Sequence, residues 1–157
     1  CKSGTRSALI MRILLSTRVQ NTTVNQTIPL FNRELFLKLS PPFPKSELLQ
    51  FDGCKKGDLV KLRLRLFFAW HYWDSEIIEN SQTDYSWQFI DSGTRLPFFL
   101  SGWLHKHSLV QSENDVFVID DIEFKAHNRL FEWLIYPALW IQFAFRKPIY
   151  RKEFGKS

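Results

Sequence analysis

The stretch "GWLHKHSLVQSENDVFVIDDIEFK", Gly102 to Lys125, holds two alternating segments on either side of a polar run. If Ser112 to Asp115 form a four-residue hairpin loop, Gln111 faces Val116. Leu109 then meets Val118, His107 meets Asp120, His105 meets Ile122 and Trp103 meets Phe124. One face is apolar apart from two histidines and an aspartate. On the other face Lys106 meets Asp121, a cross-strand pair of opposite charge. Both faces support this register independently, and a slip of one residue would set Lys106 against Asp120 and mix them. The hairpin predicts an antiparallel sheet whose buried side carries His107 beside Asp120.

Upstream, Asp58 to Trp73 (DLVKLRLRLFFAWHYW) reads as one long strand. Its even positions, Val60 through Leu62, Leu64, Leu66, Phe68, Trp70 and Tyr72, are apolar or aromatic, and Lys61, Arg63, Arg65 and His71 fall between them. Further strands are expected at Met11 to Val19, Ser75 to Glu79 and Tyr85 to Asp91, with Phe98 to Val110 and Val116 to Lys125 as the hairpin arms. Short turns between successive strands make a meander. After the first strand, Asn21, Thr22 and Thr23 are cap formers, and Val24, Ile28, Phe31, Leu35 and Leu39 recur at helical spacing. Pro29 divides this run into two short helices, and Pro41 with Pro42 ends it.

From Arg129 to Phe154 the period becomes helical, through Leu130, Leu134, Ala138, Ile141, Phe145 and Ile149. Nearly every side of this helix is apolar, so it is expected to be buried, with a kink at Pro137. Its apolar stretch LFEWLIYPALWIQFAF (Leu130 to Phe145) falls short of the roughly 18 apolar residues of a membrane span and contains Glu132, so no stable membrane insertion is expected.

The chain has 157 residues, 45% hydrophobic and 16% aromatic, with a net charge of +5. That supports one domain over residues 11 to 157 with a bulky core or a lined cavity. The first ten residues, CKSGTRSALI, precede the only methionine and read as a cloning remnant or an upstream leader. Cys1 and Cys54 are too few for a disulfide framework, which favours a reducing, cytoplasmic location. Many cations cluster in "RKPIYRKEFGK", where they suit a helix end. No basic face interleaved with stacking aromatics emerges, so no nucleic-acid partner is expected.

For the histidines several roles stay open. A satisfied core pair, a ligand-orienting pair in a cavity and an acid/base pair all suit His107 beside Asp120. A His-x-His metal site needs a third ligand, and no spacing rule places His71 or His127 there, so neither metal nor cofactor is expected. Gly-rich phosphate loops, nucleophile elbows, HExxH and CxxC are absent from the sequence.

The run Trp73-x-x-x-Ile77, Phe89-x-Asp91, Trp103-x-His105-x-His107-x-Leu109 and Asp120-x-Ile122-x-Phe124 resembles the bacterial ligand-binding, polyketide-cyclase-like proteins of the START-like, pollen-allergen-like SRPBCC superfamily. "LSPP" (Leu39 to Pro42) and the Phe143-x-x-Arg146 ending are similar to theirs as well. Where that family has a Gly-Pro-Phe element and a Pro-Gly loop, this chain has "TRLPFFLSGW" and "KAHNRLFEW". The resemblance implies an α+β helix-grip fold: an antiparallel sheet of six to seven strands wrapped around a long C-terminal helix, with two short helices after strand 1. It also implies a cavity for a hydrophobic small molecule, lipid-like or aromatic. Leu64, Leu66, Phe68, Trp70, Phe89, His105, His107, Asp120, Ile122, Leu134 and Ile141 would line or flank it. The alternatives are a cyclase- or hydrolase-type enzyme using His107 and Asp120 as base, and an interaction protein with a filled core. The chain is expected to be a monomer or a homodimer, the latter supported if Trp73, Trp133 or Trp140 is exposed.

Overall fold

In the computed structural model, which describes residues 10–155, a seven-stranded sheet has the order β1-β7-β6-β5-β4-β3-β2. The strands are β1 (Met11–Val19), β2 (Ser46–Phe51), β3 (Leu59–Leu66), β4 (Ala69–Gln82), β5 (Ser86–Arg95), β6 (Leu100–Ser112) and β7 (Asp115–Ala126). Every neighbouring pair is antiparallel. Two short helices, α1 (Val24–Thr27) and α2 (Arg33–Leu39), follow β1, and α3 (Arg129–Ala144) with α4 (Arg146–Phe154) closes the chain. This is the helix-grip architecture. Apart from Ile10, the first ten residues lie outside the described part.

Local chemistry accounts for the helix starts. Thr23 and Gln26 form a reciprocal capping box at α1, and Asn32 and Asn128 accept from the backbone N–H groups of Leu35 and Phe131. Pro29 sits in a single 3-10 turn between α1 and α2, where its missing N–H is harmless.

The β6–β7 register is the expected one, from Trp103↔Phe124 to Gln111↔Val116, with Lys106 opposite Asp121. The loop is tighter, because Ser112 pairs with Asp115 and the turn is only Glu113 and Asn114. Glu113 takes a left-handed φ of 53° to make it.

The long strand over Asp58 to Trp73 is not one strand but two. It folds back at Phe67 and Phe68, with Leu66 paired to Ala69. A two-residue turn exchanges the parity of the two faces. Leu62 and Leu64 therefore share the inner face with His71 and Trp73, while Trp70 and Tyr72 point outward with Arg63 and Arg65. The outer aromatics carry guanidinium groups, Arg63 at 4.4 Å over Trp70 and Arg95 at 4.0 Å over Tyr72. β2, which no sequence pattern marks, is a short edge strand with a register shift between Leu48 and Gln50.

The terminal helix breaks at Phe145, eight residues beyond Pro137, which stays inside α3. Its burial is one-sided. Glu132, Leu139 and Phe143 face the sheet with Ile135 and Tyr136, whereas Leu130, Trp133, Leu134 and Ile141 are each more than 60% exposed. The sheet satisfies only one stripe of an all-round apolar helix. No described helix is long and apolar enough to cross a membrane.

The inner face holds two apolar clusters. One joins α1, α2 and α4 to the sheet through Phe31, Leu35, Phe89, Leu109, Tyr150 and Phe154. The other joins α3 through Ile13, Trp103, Ile122, Phe124, Leu139 and Phe143. The polar site lies along the seam between them.

Candidate functional site

Three adjacent strands supply that seam. On β5, Trp87, Phe89 and Asp91 alternate inward; on β6, Trp103, His105 and His107 do so; on β7, Asp120 and Ile122 do so. Cα pairing places His105 between Asp91 and Ile122, and His107 between Phe89 and Asp120. The hydrogen bonds cross these pairs diagonally. His105 Nε2 lies 3.0 Å from Asp120 Oδ1, and His107 Nε2 lies 3.2 Å from Asp91 Oδ2. The two direct neighbours are farther apart and unbonded: His107 Nδ1 is 3.4 Å from Asp120 Oδ1 and has no hydrogen-bond partner. His105 Nδ1 is 3.5 Å from Asp91 Oδ2.

Aromatic neighbours fix both rings. Phe89 stacks on His107 with centroids 4.3 Å apart, and Phe143 meets His105 edge-on at 5.0 Å. Trp103 Nε1 donates to Asp91 Oδ1 at 3.1 Å, which holds the carboxylate. Tyr150 Oη is 3.5 Å from Asp120 Oδ1 and closes the site from α4.

Burial works against every charge here, and the partners decide the outcome. For His105, burial and the neighbouring His107 charge win over the two carboxylates and bring its pKa down to about 4. For His107, burial is outweighed by Asp120 and Asp91, and its pKa rises above the ordinary imidazole value. Asp91 and Asp120 are held below the carboxylate range because their histidine contacts overcome burial. Burial pushes the Tyr150 hydroxyl up, and Asp120 adds to the rise, so Tyr150 stays a neutral phenol.

Above this seam is a cavity of about 120 Å3. Leu62 and Leu64 of β3, Trp73 and Ile77 of β4, Phe36 of α2, and Leu139 with Phe143 of α3 form apolar walls. Asp91, His105 and His107 are its polar floor, and Arg146, at the α3–α4 break, lies at its edge with its guanidinium 4.1 Å over the Phe143 ring.

Of the residues expected from the sequence, Leu64, Phe89, His105 and His107 line this cavity. Asp120 lies behind the histidines, and Ile122 is wholly buried in the α3 cluster. Leu66 is next to the β3–β4 turn and does not reach the cavity, Phe68 is 99% exposed at that turn, and Trp70 faces outward. Leu134 and Ile141 are on the solvent side of α3. Trp73 points inward against Trp103, at 4.6 Å, so of the three tryptophans considered for a dimer only Trp133 and Trp140 are exposed.

Asp91, Trp103, Arg146 and Tyr150 are further residues of the site; the first three stand in the motifs of the resemblance without a site role, and Tyr150 carries no sequence signal. The alternation Trp87-x-Phe89-x-Asp91 is the signal that could have put Asp91 on the inner face. Its register against β6 could not be read, because a loop containing Pro97 separates the strands.

Neither a family model nor a curated protein matches the sequence. Solved structures do share its architecture. Protein CV1439 from Chromobacterium violaceum superimposes with a TM-score of 0.63 at 13% identity, covering 93% of this chain and 98% of that one. Protein Ms6760 from Mycobacterium smegmatis gives 0.59 at 9% identity, covering 94% of each chain. Norcoclaurine synthase from Thalictrum flavum, solved with dopamine and hydroxybenzaldehyde, gives 0.56 at 10% identity, covering 87% of this chain and 83% of its own. At these identities the likeness establishes the fold.

Proposed function

We propose that this chain, a helix-grip fold of the START-like, pollen-allergen-like kind, binds a small, largely apolar molecule in the cavity between its sheet and α3. The observation that carries the reading is an apolar-walled cavity whose floor is the buried polar trio Asp91, His105 and His107, backed by Asp120. Core packing alone gains little from two carboxylates and two imidazoles, since a buried ionic network is rarely more stabilising than well-packed apolar residues. Such groups facing a cavity orient a ligand.

The size sets the class. An apolar cavity of roughly 150 Å3 holds benzene, so about 120 Å3 suits a single ring or a short branched chain better than a sterol or a full acyl chain. His107 and Arg146 favour a carboxylate, phenol or carbonyl on that ring. That norcoclaurine synthase was solved with two single-ring aromatics supports the same size class in this fold.

Native mass spectrometry of the protein from its own host tests the reading. The expected result is a stoichiometric passenger with one ring, lost when Leu64→Trp fills the cavity in a protein that stays folded. A passenger retained in that variant, or a clean mass with no thermal stabilisation by any single-ring acid, phenol or aldehyde, would count against it.

A further inference from the structure

His105 and His107 are joined by a third donor that no sequence spacing indicated. Asp91, His105 and His107 each offer a ligand atom within 4.8 Å of the others. With metal–donor bonds of roughly 2.0–2.2 Å, adjacent donors sit roughly 3.0 Å apart at octahedral angles and roughly 3.4 Å at tetrahedral ones. Asp91 Oδ2 is 3.2 Å from His107 Nε2 and 3.5 Å from His105 Nδ1. We propose that Asp91 Oδ2, His105 Nδ1 and His107 Nε2 bind one divalent first-row transition-metal ion, of the Zn2+ class, at the cavity floor.

The groups around these three side chains are those that metal ligands need. Both ring nitrogens left over face Asp120 Oδ1, at 3.0 Å from His105 Nε2 and 3.4 Å from His107 Nδ1. A carboxylate behind a ligating imidazole fixes its proton and its orientation, and here one carboxylate serves two rings. Trp103 Nε1 holds the other oxygen of Asp91. His107 Nδ1 is deeply buried yet lacks a hydrogen bond. Coordination through Nε2 would put the proton on Nδ1, whose nearest carboxylate oxygen is Asp120 Oδ1 at 3.4 Å. Charge points the same way: a divalent cation balances two carboxylates while both imidazoles stay neutral.

Three protein ligands of the nitrogen and oxygen type leave a coordination position open, as sites that bind an exogenous group do. The open side is the cavity, where a carboxylate or phenolate of the bound molecule would complete the shell. That last point rests on the function proposed above; the ion itself requires only the three side chains.

The test uses the whole chain, stripped with EDTA and titrated with Zn2+ or Co2+. The expected result is one ion per chain, visible d–d absorption with Co2+ that Zn2+ abolishes, and Zn2+-dependent shifts of the His105 and His107 ring resonances with His71 and His127 unmoved. Asp91→Asn and His107→Gln each weaken binding at least about 100-fold, and Asp120→Asn about 10- to 100-fold. His71→Gln and His127→Gln leave it unchanged. Zn2+ that moves His71 or His127 instead, affinity unaltered by Asp91→Asn and His107→Gln, or no saturable binding would overturn the inference. Should a variant fail to fold, the ring shifts of the unsubstituted protein decide. An ion bound with no organic ligand found removes the proposed function and leaves the metal site; a passenger without saturable metal binding does the reverse.

Discussion

His105 and His107 sit between the same two carboxylates, yet burial and contact geometry drive their pKa values in opposite directions. In metal-free protein, lowering the pH therefore protonates His107 before His105. Following the two ring resonances by NMR checks the order, and simultaneous titration would contradict it. His105 also links the fold to acid. Its pKa falls from the ordinary 6.5 to about 4, so between those values the unfolded chain binds the extra proton. Stability then drops as pH falls, by up to about 1.4 kcal/mol per pH unit. Urea unfolding of metal-free protein across that window should show a shallower decline for His105→Gln than for the unsubstituted chain. Cys54 gives an independent check. Its thiol contacts the Phe31 carbonyl, and burial, with Asp58 second, pushes it up to about 12. Iodoacetamide should modify it slowly at pH 8 in native protein and rapidly in denaturant, because the thiolate is the nucleophile.

The elements show why some of the fold was legible in the sequence and some was not. The β6–β7 hairpin could be read because two faces constrained one register. The β3–β4 hairpin could not, because its turn is two phenylalanines. Phe67 holds a φ of 55° with 86% exposure, and Phe68 is 99% exposed, a pair that no turn rule marks. The even-numbered apolar pattern ran through that turn unbroken, concealing the exchange of faces that puts Trp70 outside and Trp73 inside. A bulky residue in the left-handed region costs on the order of 1 kcal/mol, and these rings contribute little packing. Phe67→Asn, which suits the left-handed φ, should stabilise the protein by about 1 kcal/mol, or about 2–4 °C in Tm by calorimetry. Phe143 behaves oppositely. It is 5% exposed and packs on Trp103 and His105. Phe143→Ala should cost about 3–5 kcal/mol in chemical denaturation, less any relief from partial collapse of the cavity.

At the scale of the whole molecule, the sheet grips one stripe of α3 and closes two apolar clusters over a polar seam. The alternation in β6 and β7 was enough to put the histidines on the inner face, and the family resemblance carried the fold. The third side chain of the floor was not legible, since Asp91 comes from a strand whose pairing is set by tertiary contact. Nor was the exposed stripe of Leu130, Trp133, Leu134 and Ile141, because hydrophobicity alone does not say which face the sheet covers. These two surfaces permit opposite outcomes for an apolar ligand. It either enters the cavity or adsorbs to the outer face of α3, and the indole N–H groups report which. The decisive measurement is a 1H–15N spectrum of the indole and imidazole groups during titration with a single-ring aromatic acid. Ligand seated over the cavity floor predicts saturable shifts of Trp103, Trp73 and His107, with Trp133 and Trp140 unchanged. Shifts confined to Trp133 and Trp140, or none that saturate, would contradict it.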